Sequence, residues 1–121
     1  MNIEELREYC LSVKGASESF PFDDTILVFK IMGKMFAYIS ITPKDSFKVN
    51  LKCDADRSVE LRERYEGVER GHYANTLLWN AVGLESDVSD ILIKELIDHS
   101  VSEVIRKLPK KLREEYKHLK E

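Results

Sequence analysis

RYEGVERGHYANTLLWNAVG, residues 64–83, is the stretch on which the fold turns. It holds the single Trp of the chain, Trp79, and three of its five Gly. Its first residues are polar and close a helical segment. Residues 66–75 read as a loop. From Leu77 to Leu84 the chain is apolar enough for a strand, with Trp79 inside it. A strand that returns after a helix, late in the chain, makes sense only beside strands already laid down upstream.

Those strands are legible in ILVFKIMGKMFAYISI, residues 26–41. The run is rich in β-branched and aromatic residues and is broken once, at Gly33-Lys34, so it reads as a hairpin with a glycine-containing turn. Thr42 to Asp45 form a second turn, punctuated by Pro43. Residues 46–52 then alternate, with Phe47, Val49 and Leu51 expected inward and Ser46, Lys48, Asn50 and Lys52 outward. Period two marks a half-buried antiparallel strand. Over 35–41 both sets of alternating positions are apolar, so the pattern leaves open which face of that strand is buried.

Helices flank this block. Ile3, Leu6, Cys10 and Val13 recur at helical spacing, with Asn2 as cap, Glu4 and Glu5 in the first turn, and Gly15 just past the end. Residues 17–22 read as a loop. Asp54 caps a short helix over 55–65, with Val59, Leu61, Arg62 and Tyr65 on its packed side. Ser86 or Asp87 opens a long helix whose stripe runs Val88, Ile91, Leu92, Leu96, Ile97, Val101, Val104, Ile105 and Leu108. The polar triplet Asp98-His99-Ser100 suggests a bend in it. Pro109 separates it from a basic terminal helix over 110–118. The order α-β-β-β-α-β-α-α gives an α+β fold, an antiparallel sheet packed against helices, with its second face partly open.

At 121 residues the chain is expected to form one domain, residues 1–121, able to bury a core without covalent staples. Cys10 and Cys53 have neither metal-like spacing nor a disulfide-rich context and are expected to be reduced. No secretory signal is evident, and no apolar run approaches the about 20 residues of a spanning helix. A cytoplasmic protein without membrane contact is the expectation. Net charge is −3, yet residues 26–52 carry a net +4 and residues 106–121 another +4. Two basic regions sit on an acidic body.

Three groupings carry candidate chemistry. On the outer sheet face Lys48, Asn50 and Lys52 point the same way, joined by Lys30 and by Tyr38 with Ser40. Lys34 and Lys44 stand at the turns. Cations interleaved with an aromatic can follow a phosphate backbone and stack on bases, and amides can read base edges; an ordinary solvated sheet face has the same pattern. Arg70, His72, Tyr73 and Asn75, leading to Trp79 and Asn80, form a polar and aromatic loop fixed by a strand, a setting in which binding residues concentrate. There Trp79 is either a stacking platform or a core residue. Lys107, Lys110, Lys111 and Arg113 make the terminal helix a third cationic region. No serine or cysteine nucleophile has an evident base, and no phosphate-cradling glycine motif occurs, so neither catalysis nor a cofactor is expected.

Read together and in order, GKMFA (33–37), YEGV (65–68), GHYAN (71–75), WN (79–80) and LPKK (108–111) resemble the MmcQ/YjbR family across nearly the whole chain. The resemblance implies a CyaY-like fold, shared with frataxin-type proteins, and non-enzymatic DNA binding through a double-wing arrangement of strands. The residues expected to carry it are Lys30, Lys34, Lys44, Lys48, Asn50, Lys52, Arg70, His72, Asn75 and Trp79. An acidic protein partner on the same face is the alternative. A second is a frataxin-like metal site on the first helix, where Glu4 and Glu8 lie one turn apart.

Overall fold

The computed structural model describes residues 1–71 and 78–120. His72 and Asn75 of the expected site lie outside them. Six antiparallel strands form one sheet: β1 (Ser17–Ser19), β2 (Ile26–Ile31), β3 (Lys34–Ser40), β4 (Lys48–Lys52), β5 (Val68–Arg70) and β6 (Trp79–Gly83). Their spatial order is β1-β2-β3-β4-β6-β5. The helices are α1 (Ile3–Ser12), α2 (Ala55–Arg64), α3 (Asp90–Arg106) and α4 (Lys110–Lys117). The α+β class read from the sequence holds.

β1 and β5 fall in stretches whose residue pattern is that of a loop. Each is three residues long and lies at an edge of the sheet. Neither Ser-Glu-Ser nor Val-Glu-Arg carries a hydrophobic period, so only the pairing with β2 and β6 makes them strands. The turn between β2 and β3 is Met32-Gly33, one residue earlier than expected. Both residues have positive φ, 49° and 76°, as a two-residue type I′ hairpin requires. Lys34 is thus the first residue of β3 and pairs with Ile31.

The two-sided apolar character of β3 is resolved by a bulge. Phe29 stands opposite Ala37 and Lys30 opposite Met35, so Phe36 is the extra residue. The bulge turns both Phe36 and Ala37 into the main core, and Tyr38 falls on the other face.

That core lies between the sheet and the helices. Leu27, Phe29 and Ile31 of β2, Val49 and Leu51 of β4 and Val82 of β6 meet Leu6 and Cys10 of α1 and Ile93, Leu96, Ile97 and Val104 of α3. Asn2 caps α1 in a reciprocal box with Glu5, and Asp54 caps α2 by accepting from Arg57 N. The cap of α3 is Ser89, which accepts from Leu92 N, not Ser86 or Asp87. Asp87 accepts instead from Glu66 N and Gly67 N, at 2.9 and 2.7 Å, and so ties the start of β5 to the loop before α3. Ile91 and Val59, expected in packed stripes, are exposed at 74% and 48%; each opens outward from its helix, and Ser58 and Leu61 bury the α2 face instead.

Asp98-His99-Ser100 causes no bend; α3 is continuous. Each of the three polar side chains has a partner on another element. Asp98 accepts from Tyr9 Oη. His99 Nε2 accepts from Asp54 N at 3.1 Å. Ser100, fully buried, accepts from Lys52 N at 2.9 Å and donates to Phe36 O at 2.5 Å. Pairing between β3 and β4 stops at Ala37 and Leu51. Ser100 therefore occupies the next rung, and its hydroxyl satisfies backbone groups that the parted strands leave unpaired.

Candidate functional site

On the face of the sheet away from α3, the register sets side chains in rows. Val28, Tyr38, Asn50 and Ala81 form one, with Glu69 at its end. Lys52 and Trp79 are paired in the next, toward the β2–β3 turn. Lys48 lies on the other side of the central row, opposite Gly83.

This face is less open than its alternation suggests. Val28, Tyr38 and Trp79 form a second apolar cluster, supported by Ile26, Met35 and Leu78. Trp79 is 7% exposed and meets the Tyr38 ring at 5.2 Å between centroids, inclined by 52°. Such a tilted pair is a packing geometry for aromatics. Trp79 is therefore not an exposed stacking platform, and Tyr38, at 3% exposure, presents no free ring to a base. Gly71 closes on this Trp from behind. Its N–H donates to Trp79 O at 2.8 Å, and a Cβ there would lie 2.6 Å from Trp79 Cβ. Asn50 points outward as expected but is only 3% exposed. It lies at the bottom of a groove of about 420 Å³ whose walls include Tyr38, Ser40, Lys44 and Lys48.

The lysines divide. Lys48 reaches across β6 to Glu69 of β5, with Nζ and Oε1 3.0 Å apart. The residues it crosses are Ala81 and Gly83, small enough to let the side chains meet. An exposed pair like this contributes up to about 1 kcal/mol, but it neutralises Lys48 locally. Lys30, Lys34, Lys44 and Lys52 have no carboxylate partner among the described residues. Arg70 does not join them. It stands opposite Asn80, whose side chain faces α2 and accepts from Arg62 Nη1 at 2.8 Å, so Arg70 belongs to the helix side of the edge strand.

A cation from the third cationic region completes the set. Lys107, at the C-terminus of α3, borders a cleft of about 330 Å³ with Lys34, Lys52, Met35 and Trp79. The ammonium of Lys52 is held below its ordinary pKa. Burial is the largest cause; the like charge of Lys107 follows, reinforced by Arg106 and Lys34 and opposed by Glu103. Nothing linear in the sequence joins Lys107 to Lys52; only the crossing of α3 beneath β4 does.

The remaining candidates behave as structural residues. Cys10 is fully buried, and burial pushes its thiol up to about 12. Burial likewise raises Cys53, at 3% exposure. Glu4 and Glu8 lie on the exposed side of α1, and among the described residues no three His, Cys, Asp or Glu side chains are placed to hold one metal ion. Among the described residues no helix is long and apolar enough to cross a membrane.

The class is thus a small α+β protein with one antiparallel sheet, helices on one face, and a cationic margin where the other face meets the end of α3. The chain belongs to the YjbR family, whose model matches residues 11–101. It is 27% identical over 113 residues to the Escherichia coli K12 protein named "Uncharacterized protein YjbR", covering 93% of this chain and 95% of that one. To "Uncharacterized protein YbdF" of Escherichia coli O157:H7 it is 29% identical over 108 residues, covering 89% and 88%. The crystal structure of a Deinococcus radiodurans protein with a DUF419 domain superposes with a TM-score of 0.88 at 33% identity, covering 96% of this chain and 88% of that one. A Pseudomonas syringae protein shares the fold, with a TM-score of 0.72 at 19% identity, over 83% and 96%.

Proposed function

We propose that this chain is a non-catalytic, cytoplasmic DNA-binding protein that engages the phosphate backbone through the cationic margin of its sheet. The observation that carries this reading is the set of lysines without carboxylate partners among the described residues: Lys30, Lys34, Lys44 and Lys52 on the sheet and its turns, continued by Lys107. Phosphate contacts supply affinity without sequence information, and the burial of Asn50, Tyr38 and Trp79 leaves little for reading base edges. Binding is accordingly non-specific and salt-dependent, with each phosphate neutralised adding about 0.9 to the slope of log affinity against log salt.

The test is anisotropy of a labelled duplex across a salt series. Wild type binds at low salt and weakens linearly in log salt. Reversal of Lys34 and Lys52 to Glu removes most of the binding, whereas Lys48→Glu, which loses a cation already paired with Glu69, weakens it less. Equal loss from Lys48→Glu would place the contact elsewhere on the sheet. Absence of binding at low salt would refute the reading.

A further inference from the structure

The cleft between Lys34, Lys52 and Lys107 has a shape and a charge that a linear phosphate backbone does not need. Its three ammoniums come from three separate elements: the first residue of β3, the last of β4 and the C-terminus of α3. None has a carboxylate partner among the described residues. Glu103, the acid nearest in charge, is engaged by Arg106 through two bonds of 3.1 and 3.2 Å. The lining is otherwise apolar, from Met35, Trp79 and Val104. The cleft exists because β3 and β4 part beyond Ala37 and Leu51 and Ser100 holds them so. Half-buried Lys52 is therefore kept among like charges by the fold itself, and its ammonium is disfavoured there.

We infer that this cleft is a binding site for a phosphate monoester whose organic part rests on the apolar wall. A dianion is favoured over a diester because its two charges offset more of the repulsion among the three cations that border the cleft, whereas a diester brings one charge. The carbonyl end of α3 opposes an anion with about half a unit of charge, which three ammoniums exceed. The volume, about 330 Å³, is at the small end of ligand sites, about 300–1,000 Å³, and suits a mononucleotide or a sugar phosphate. The same chemistry is presented by a free nucleotide and by the phosphorylated 5′ end of a DNA strand.

The experiment is an amide-correlation NMR titration of the full chain, in which the single Trp79 supplies one indole cross-peak bordering the cleft. The ligands are inorganic phosphate, adenosine 5′-monophosphate, adenosine, and one oligonucleotide with and without a 5′ phosphate. The monophosphate shifts the Trp79 indole and the Lys34, Lys52 and Lys107 amides saturably, and adenosine does not. Lys52→Gln and the surface variant Lys107→Gln each weaken it about tenfold, the scale of one charge-assisted bond, while Lys94→Gln, at an exposed position of α3 away from the cleft, leaves it unchanged. Lys107 is exposed, so its variant remains folded even if Lys52→Gln does not. Preference for the 5′-phosphorylated over the 5′-hydroxyl oligonucleotide assigns the site to strand ends; tighter binding of the free nucleotide assigns it to a small molecule. Shifts spread equally over all exposed lysines, equal effects of Lys94→Gln and Lys107→Gln, or no saturable response would overturn the inference. Retained monophosphate binding with no duplex binding would refute the DNA reading alone; duplex binding with a silent cleft would refute the cleft alone.

Discussion

Replacing Ser100 by Ala isolates the contact that holds the sheet open at the cleft. The side chain is fully buried on α3, and its hydroxyl bonds Lys52 N at 2.9 Å and Phe36 O at 2.5 Å. Alanine removes both bonds and only one heavy atom, so the packing change is small. Two backbone groups on parted strands are left without a partner. Each costs about 1–3 kcal/mol when buried and unsatisfied. Alanine's better helix propensity returns about 0.5 kcal/mol. The net loss is about 1.5–5.5 kcal/mol. A chain of 121 residues unfolds with an entropy of about 0.25 kcal/mol/K, so the melting temperature falls by about 6–22 °C. Urea denaturation followed by far-UV circular dichroism measures the loss. Ser102→Ala, at an exposed position of the same helix, serves as the comparison and stays within about 0.5 kcal/mol of wild type. Hydrogen exchange at the Lys52 amide accelerates in Ser100→Ala more than at Val49. A loss under about 1 kcal/mol would refute the reasoning, because β3 and β4 could then close and pair directly and the serine would not be what keeps them apart.

Acidification probes the neighbouring residue. His99 is held below its ordinary value of 6.5 by burial first and by the Arg57 charge second, and its Nε2 must be unprotonated to accept from Asp54 N. The unfolded chain then binds the proton more readily than the folded one, so stability falls as pH drops below about 6.5 and levels off below the folded value. Urea midpoints at pH 7.5 and 5.5 should differ in wild type and converge in His99→Gln; Glu103 and Asp23, carboxyls held below their ordinary values of 4.5 and 3.8 by hydrogen bonds from Arg106 and Thr25, contribute only at more acid pH. In the duplex assay, Lys34→Glu/Lys52→Glu lowers the magnitude of the salt slope by about 2, and an unchanged slope would mean that neither lysine meets a phosphate. A thiol reagent at pH 8 should label neither Cys10 nor Cys53 in the folded chain and both in urea, since burial suppresses the thiolate; rapid labelling without denaturant would contradict the burial of both. Gly33→Ala, at φ of 76° with open space around it, should cost about 1 kcal/mol from backbone strain alone, measured as a shift in urea midpoint at constant slope.

The long elements were legible because their signals are local. The α1 stripe, the alternation of β4 and the Asn2 and Asp54 caps each follow from a few adjacent residues. β1 and β5 were not, because a three-residue edge strand is defined by its partner and not by its own pattern. The candidate site divides along the same line. Which residues are lysines is plain in the sequence, and so is the outward direction of Lys48, Asn50 and Lys52. That Lys48 is neutralised by Glu69, that Asn50 and Trp79 are covered, and that Lys107 joins Lys52 are all consequences of register and helix placement. Asp98-His99-Ser100 is instructive for the same reason. A polar triplet in an apolar helix looks like a break until its three partners on α1, α2 and the sheet are known.

The shortness of β1 and β5 bears on what the protein does at high concentration. An exposed sheet edge is a template on which another chain can add a strand, and its danger grows with the number of backbone groups in line. Here each border offers three residues. At one border Gly15, with φ of 74°, precedes the strand and Pro21 follows it closely. At both, a charged pair straddles the strand, Arg7 with Glu18 and Lys48 with Glu69, so an added strand would have to dock beside ionised side chains. Fibril-like growth and exchange of strands between molecules are thereby left only a short template.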